Sequence, residues 1–259
     1  MATEPTGRQD HSEAAFLAQY SLSHYPPMAV TVDLACLTIR GGRLAVLLIE
    51  RGGHPFRGRW ALPGGFARAD ETLSESAHRE LAEETATSVA HSEQLGTYGD
   101  PGRDPRGHII SVAYLAFGPD MANPEAGDDA AAARFWTIED LDLDGNRGSD
   151  TGHGAGIDLA FDHRLIIADA VERARAKLEY TTLGCAFCAE TFTMVELRDV
   201  YEAAWGTPVH PANFRRKVLS TPGFVIPVGT AASNGRGRPA ELYRQGPATR
   251  MNPPLLRPG

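Results

Sequence analysis

The sequence GGFARADETLSESAHRELAEETA, residues 64–86, is the stretch that decides the fold. Its Thr72 and Glu75 have the spacing of a capping box, in which each side chain accepts a hydrogen bond from the other residue's backbone N–H. This spacing predicts a helix that begins at about Leu73 and ends at about Thr85. The buried stripe of the helix is formed by apolar residues that step by four, namely Leu73, Ala77 and Leu81.

Three carboxylates crowd another face of this helix. Glu80, Glu83 and Glu84 stand at positions i, i+3 and i+4, where like charges repel by roughly 0.2–0.5 kcal/mol per pair. A divalent cation held by oxygen ligands offsets such repulsion, and Arg79 can orient one of the carboxylates. A solvated acidic face is the alternative, so the spacing alone leaves both interpretations open.

The stretch resembles the Nudix box, whose pattern is G-x5-E-x7-R-E-U-x-E-E-x-G-U, with U a bulky apolar residue. The resemblance implies an α/β fold, the Nudix α/β/α sandwich with a mixed sheet, over residues 28–180. It also implies Mg2+ on the three glutamates of the crowded face and a ligand built as a nucleoside diphosphate linked to a second moiety. If the chain is catalytic, the resemblance makes Glu71, Arg79 and Glu80 the candidates. The positions that match the pattern are Gly65, Glu71, Arg79, Glu80, Leu81, Glu83 and Glu84.

The chain departs from this pattern at the end of the box. Ala86 stands where the box has glycine, and Thr87 stands where it has an apolar residue. A glycine at this point ends the helix in the left-handed backbone conformation. We therefore expect Ala86 either to cost about 1 kcal/mol or to move the end of the helix.

Strand-like segments surround the helix. The runs AVTVDLACLTI (29–39) and LAVLLIE (44–50) flank Gly41 and Gly42, which predicts a β-hairpin. Further strands are predicted at EQLGTYG, HIISVAYLAF and ARFWTI. A connecting helix is predicted at residues 162–180, with Asp162 as its cap.

Residues near the glycine pair at the start of the box, Gly64 and Gly65, are candidates for binding an effector. Arg59 and Trp60 border this pair and can meet a phosphate and a base. Arg103 and Arg106, in the loop DPGRDPRG, can reach phosphates from the far side. Solvation of the loop arginines and core packing of Trp60 are equally open interpretations. The candidate effector-binding residues are Arg59, Trp60, Gly64, Gly65, Arg103 and Arg106.

The charge of the chain is distributed unevenly. The net charge is −8, yet residues 181–259 carry nine lysines and arginines against five acidic residues, whereas residues 1–180 carry sixteen against twenty-eight. An acidic body joined to a basic part is typical of a protein that meets a polyanion, although ordinary surface variation gives the same pattern.

Residues 181–246 show the order helix, short turn, helix and hairpin. Thr193 and Glu196 form a second capping-box spacing, and Gly206 ends the first helix. Pro211 stands at a first-turn position of the second helix. This order is that of a winged helix-turn-helix domain, in which the second helix fits the major groove of double-stranded DNA and hairpin arginines reach phosphates or the minor groove. The candidate DNA-binding residues are Asn213, Arg215, Arg216, Lys217, Arg236 and Arg238.

The two parts together resemble the Nudix-related transcriptional regulators of NAD metabolism (NrtR), through GRWALPGGF, LGTYGDPGRDPRGHIISVAYL, PANFRRKVL and GRGRPAELYR. The resemblance implies a repressor of NAD biosynthesis or salvage genes that binds a palindromic operator as a homodimer. It implies ADP-ribose, or a related NAD-derived nucleotide, as an effector bound in the Nudix domain. The alternative is a Mg2+-dependent Nudix hydrolase, an ADP-ribose pyrophosphatase. Because the box glutamates are retained, a bifunctional protein is also open.

The remaining features indicate a cytoplasmic protein without a membrane partner. Three cysteines in 259 residues are typical of a reducing compartment, and no apolar run approaches the roughly 18 residues of a membrane helix. Cys185 and Cys188 have CxxC spacing without further ligands in a known pattern, which favours structural or incidental use. We expect a loose N-terminal arm at residues 1–27, a mobile loop at 144–156 and a tail at 247–259.

Overall fold

The computed structural model describes residues 12–89, 92–119, 121, 123–127, 130–143, 157–230 and 239–257. The loop predicted at residues 144–156 lies outside these ranges, and so do Arg236 and Arg238. Within the described ranges, no helix combines the length and the apolar character that crossing a bilayer requires.

The N-terminal body is built on a mixed sheet of seven strands, which confirms the predicted α/β class. Its four α-helices are α1 (Glu13–Gln19), α2 (Leu73–Thr85), α3 (Ile138–Leu141) and α4 (His163–Tyr180). Its strands are β1 (Ala29–Arg40), β2 (Arg43–Arg51), β3 (Trp60–Ala61), β4 (Gly64–Phe66), β5 (Ser92–Tyr98), β6 (Ile109–Phe117) and β7 (Ala130–Thr137).

Strand β1 is the centre of this sheet. It pairs antiparallel with β2 and β4 and parallel with β6. The predicted hairpin between β1 and β2 is confirmed, with Gly41 and Gly42 both at positive φ, as a type I′ turn requires. The side chains of β1 alternate between two cores: Val32 and Leu34 pack on the side of α2, whereas Ala35 and Leu37 pack on the side of α4. The result is the predicted three-layer sandwich.

The acidic helix α2 has the predicted bounds and the predicted cap. Thr72 and Glu75 form the complete capping box, with both reciprocal hydrogen bonds present. The helix ends at Ala86, which takes the left-handed conformation with φ 51° and ψ 22°. The departure from glycine therefore leaves the end of the helix in place, at a cost of about 1 kcal/mol in backbone strain.

The connecting helix α4 is confirmed, but its predicted cap is wrong. Asp162 occupies the N-cap position without a side-chain hydrogen bond to the helix. Its carboxylate instead accepts two hydrogen bonds from Arg103, at 2.8 and 2.6 Å. A bidentate bond to a guanidinium is stronger than a bond to a neutral backbone N–H, so the arginine takes the carboxylate.

The C-terminal module has the predicted winged helix order. A 3-10 helix (Leu183–Phe187) leads into a three-stranded antiparallel sheet and two helices, and His210 caps the second helix with Pro211 in its first turn. The elements are β8 (Phe192–Thr193), α5 (Met194–Trp205), α6 (Pro211–Ser220), β9 (Val225–Thr230) and β10 (Glu241–Gln245).

The cores of the two parts are continuous. Phe187 and Val200, from the C-terminal module, belong to the apolar cluster on the α4 side of the sheet, and the Phe187 ring lies 5.1 Å from the ring of Phe117 in β6. Leu178 of α4 belongs in turn to the core of the C-terminal module. Apolar packing therefore crosses the domain boundary that the sequence predicts near Thr181.

The described residues near both ends of the chain are more ordered than the loose arm and the tail that the sequence predicts. The predicted loose arm includes α1, whose residues are all exposed or half-buried, and a 3-10 helix at Leu22–His24. The predicted tail returns along α4, where Leu255 N–H donates to the backbone oxygen of Glu179 at 2.9 Å. Its Arg257 forms an ion pair with Glu172 at 2.7 Å.

Candidate functional site

The glycine pair brings the loop after β3 close to the acidic helix. A Cβ on Gly64 would overlap the backbone oxygen of Val32, and one on Gly65 would overlap the carboxylate of Glu80. The absence of side chains also lets Gly64 N–H donate to Glu84 Oε2 at 2.8 Å. These two glycines therefore fix the backbone directly above the carboxylates of α2.

Arg79 lies at the centre of the carboxylates. Its guanidinium contacts Glu71 at 2.8 Å, Glu80 at 2.7 Å and Glu83 at 3.0 Å, and its hydrogen bonds lower the pKa of Glu71. The repulsion anticipated along α2 is thus offset partly by an internal cation. Arg79 orients three carboxylates rather than one.

Glu84 is set apart from this ion-pair cluster. Its side chain is buried, and burial raises its pKa to about 8, with a further contribution from the carboxylates of Glu80 and Asp33. The charged form of this carboxyl group is therefore disfavoured, because little water is present to stabilise it. Glu80 and Glu84 line a cleft of about 510 Å³, whereas Glu83 lies outside this lining and is half exposed.

The cleft has the size of a small-molecule site and adjoins a smaller cavity of about 60 Å³. The two cavities share Gly64, Gly65, Arg51 and Arg106, together with Phe66. The lining of the cleft combines the carboxylates of Glu80 and Glu84 with the guanidinium groups of Arg51, Arg68 and Arg106. An anionic ligand and a cation can therefore be held side by side.

Two predicted arginines reach the cavities with carboxylate partners already in place. Arg103 lines the smaller cavity and is bound to Asp162 at 2.6 Å. Arg106 lines both cavities and is bound to Asp104 at 2.7 Å. A phosphate bound at this place would either share each arginine with its carboxylate partner or displace the carboxylate.

Sequence reasoning missed Arg51, at the end of β2. It lines both cavities, and among the described residues no carboxylate lies within ion-pair distance of it. Burial and the nearby Arg106 lower its pKa. The only local signal is a basic residue ending a buried strand, a pattern too common to single it out.

Arg59 and Trp60 line neither cavity. Arg59 lies 3.9 Å from Asp158 on the surface. The ring of Trp60 packs edge-on against Trp136, with centroids 5.1 Å apart. The structure thus favours the alternative interpretations for both residues, surface solvation and core packing.

A buried polar network lies beneath the glycine pair. Leu62 N–H donates to His163 Nδ1 at 2.8 Å, and His163 Nε2 lies 3.5 Å from Asp33 Oδ1. The hydroxyl of Ser111 donates to the other carboxylate oxygen of Asp33. His163 is the first residue of α4, so this network links the cleft to the connecting helix.

The second candidate site is the outer face of α6. Phe214 and Val218 are buried beneath it, as the sequence predicts, while Asn213 and Arg216 are exposed and joined by a 3.1 Å hydrogen bond. Two of the predicted cations on α6 have other partners. Arg215 is bound to Glu241 of β10 at 3.1 Å, and the half-buried Lys217 donates to the backbone oxygen of Pro253.

The described residues contain no group of three or more His, Cys, Asp or Glu side chains arranged to hold a metal ion. Glu80 and Glu84 both line the cleft, and they are the carboxylates best placed to bind a metal ion there. Burial raises the pKa of Cys185 to about 12 and also raises that of Cys188. Structural or incidental use of the two cysteines stays a prediction.

Comparisons with known proteins match both parts of the chain. Residues 29–152 match the NUDIX domain family, and residues 184–245 match the family described as the NrtR DNA-binding winged helix domain. The chain is 35% identical over 235 residues, 90% of its own length and 88% of the relative, to the ADPR responsive transcriptional repressor NtrR of Acinetobacter baylyi. It is 40% identical over 126 residues, 48% of its length and 64% of the relative, to an ADP-ribose pyrophosphatase of Methanocaldococcus jannaschii.

Solved structures of Shewanella oneidensis NrtR are also similar. The complex of that protein with a 27mer DNA matches with a TM-score of 0.70 and 34% identity, over 87% of this chain and 99% of the other. Its NUDIX domain in complex with ADP ribose matches with a TM-score of 0.54 and 35% identity, over 62% of this chain and 98% of the other.

Proposed function

The chain belongs to the NrtR family of Nudix-related transcriptional regulators, and from this premise we propose that it is a DNA-binding repressor whose effector is ADP-ribose. One observation carries the proposal: a cleft lined by both arginines and carboxylates and a winged helix whose second helix exposes polar side chains lie on the same chain. Its targets are genes of NAD biosynthesis or salvage, and it acts in the cytoplasm as a homodimer on a palindromic operator.

The arginines that line the cleft suit a diphosphate. No carboxylate among the described residues lies within ion-pair distance of Arg51, and Arg106 lines the same cleft. Planar guanidinium groups bind phosphate oxygens through paired hydrogen bonds. We assign the diphosphate of ADP-ribose to Arg51 and Arg106, with Arg103 contributing from the smaller cavity.

The carboxylates that line the cleft suit a divalent cation. Nudix domains and their pyrophosphatase relatives point to divalent metal use in general, and we propose Mg2+ for this chain. Glu80 and Glu84 line the cleft and are the proposed ligands, and Glu83 lies on the same helix; Arg79 would have to release Glu80 or Glu83 before either could bind the cation. The elevated pKa of Glu84 fits such a role, because a cation at this place would stabilise the charged form that burial disfavours. When bound, Mg2+ would neutralise pyrophosphate oxygens and activate a water molecule.

The DNA-reading side is assigned to α6 and the wing. Asn213 and Arg216 are free to meet a base edge and a phosphate in the major groove. Arg215 and Lys217 stay candidates despite their partners, as do Arg236 and Arg238.

A gel-shift titration tests the proposal. Genomic fragments from upstream of NAD genes are incubated with the full chain, with and without saturating ADP-ribose. We expect a shifted band whose dissociation constant rises when ADP-ribose is present. An operator affinity that stays the same at saturation would refute the assignment of ADP-ribose as effector.

The second candidate function is a Mg2+-dependent ADP-ribose pyrophosphatase, alone or in combination with DNA binding. The retained carboxylates Glu71, Glu80 and Glu83 around Arg79, together with Glu84 on the same helix, favour it. Product formation from ADP-ribose in Mg2+, without a shifted band, would identify an enzyme. Both activities in one preparation would identify a bifunctional protein.

A further inference from the structure

The C-terminal end of α5 is held by a residue of another helix. α5 has no basic residue in its own last turn, although a cation there stabilises the helix dipole and the free carbonyls. Arg175 of α4 supplies the cation, since its Nε donates to the backbone oxygen of Ala204 at 2.8 Å. Trp205 returns the contact, because its indole N–H donates to the backbone oxygen of Arg175 at 3.3 Å. Two reciprocal hydrogen bonds therefore join α4 to α5.

This pair of hydrogen bonds, which we call the joint, lies immediately before α6, the helix assigned to reading DNA. The turn from α5 to α6 is fixed by Val209 N–H, which donates to Glu202 Oε1 at 2.9 Å. The ring of Tyr201 in α5 packs against Phe214 in α6, with centroids 5.0 Å apart. α5 and α6 consequently form one unit, and whatever holds α5 also sets the orientation of α6.

The opposite end of α4 lies at the smaller cavity that adjoins the cleft, since His163 and Leu62 line that cavity. His163, the first residue of the helix, is hydrogen-bonded to Leu62 N–H, two residues before the glycine that binds Glu84. Arg175 lies twelve residues beyond His163, which at about 1.5 Å per residue is roughly 18 Å along the helix. A single helix therefore runs from the smaller cavity to the hydrogen bonds at Arg175.

We propose that Arg175 is a positioning residue that transmits the state of the ligand cleft to the DNA-reading helix. This inference rests on the proposed function and names the contact through which the effector acts. Apolar contacts such as Phe117 with Phe187 also hold the two parts together, but the hydrophobic effect is non-directional. The directed hydrogen bonds at Arg175 fix α5 to one position on α4, so that a shift of α4 moves the recognition helix with it.

The test compares two matched substitutions on the same helix. Arg175→Met keeps an apolar stem and removes the donor to Ala204. Arg173→Met makes the same change at an arginine whose hydrogen bond, to the backbone oxygen of Leu95 at 3.3 Å, stays within the N-terminal body. For each full-length protein, the dissociation constant for the highest-affinity genomic fragment is measured with and without saturating ADP-ribose. Calorimetry verifies saturation by ADP-ribose.

The readout is the ratio of the two dissociation constants, which a merely structural role of Arg175 would not move. We expect a ratio of about ten for the wild-type chain and Arg173→Met, and a ratio at least about threefold lower for Arg175→Met. Trp205→Phe, which removes the indole N–H donor together with part of the buried ring, should lower the ratio as well and replaces Arg175→Met if that variant fails to fold.

The outcomes separate this inference from the proposed function. If the wild-type chain responds to ADP-ribose and both Arg175→Met and Trp205→Phe respond equally strongly, the role of Arg175 is refuted and the proposed function stands. If the wild-type chain itself does not respond, the proposed function fails, and the transmission role fails with it.

Discussion

Replacement of Arg216 by glutamine tests the geometry of the DNA-reading face most sharply. Arg216 is exposed on α6, and its described partner is the neutral side chain of Asn213. No carboxylate among the described residues lies within ion-pair distance of it. Its charge is therefore available to a DNA phosphate, in contrast to that of Arg215, which Glu241 neutralises at 3.1 Å.

The magnitude follows from counterion release. Each phosphate contact contributes about 0.9 to the slope of log affinity against log salt concentration, so a homodimer that loses one contact per protomer should lose about 1.8. Arg215→Gln is the matched control, and its slope should change by less than half as much. Affinity for ADP-ribose should stay the same in both variants.

Fluorescence anisotropy at salt concentrations between 50 and 200 mM, roughly the range over which such contacts are resolved, supplies the measurement. An unchanged slope for Arg216→Gln, together with a reduced slope for Arg215→Gln, would reverse the assignment of the two residues. Loss of ADP-ribose binding in either variant would contradict the assignment of ADP-ribose binding to the cleft and of DNA binding to α6.

Three further perturbations have defined outcomes. Glu83→Gln combined with Glu84→Gln should abolish any Mg2+-dependent turnover of ADP-ribose while leaving operator binding intact; turnover that persists in a product assay would place the metal elsewhere. Phe214→Ala, at a side chain that is 1% exposed, should lower the free energy of unfolding by about 3–5 kcal/mol in denaturant titrations, and a loss below 1 kcal/mol would contradict the packing. Burial lowers the pKa of His163, so the unfolded chain binds this proton first and the contribution of His163 to stability should fall as pH drops below about 6.5, by at most ~1.4 kcal/mol per pH unit. His163→Asn should lack this contribution between pH 7 and 5, and a pH dependence identical to that of the wild-type chain would rule out this histidine as its source.

The sequence predicts the local structure well because the signals for it are local. The capping boxes at Thr72 and Thr193, the turn at Gly41 and the caps of α6 all depend on residues within a few positions of each other. The helix also ends where the box pattern predicts although Ala86 replaces the glycine of that pattern, because one alanine in the left-handed conformation costs only about 1 kcal/mol of stability.

The predictions that differ from the structure concern partners far apart in sequence. Asp162 has the position of a cap, but Arg103, 59 residues away, takes its carboxylate. Arg51 becomes a cleft residue only when β2 and the loop around Arg106 meet, and Trp60 is drawn into the core by Trp136. No local pattern encodes these pairings, which depend on the packing of the whole sheet.

The most direct test of the central claim is the affinity for ADP-ribose itself, measured by calorimetry with the free protein and with the protein saturated by operator DNA. Linkage requires that the operator weaken ADP-ribose binding by the same factor by which ADP-ribose weakens operator binding. The account predicts this equal loss. An affinity for ADP-ribose that is the same with and without operator would contradict it.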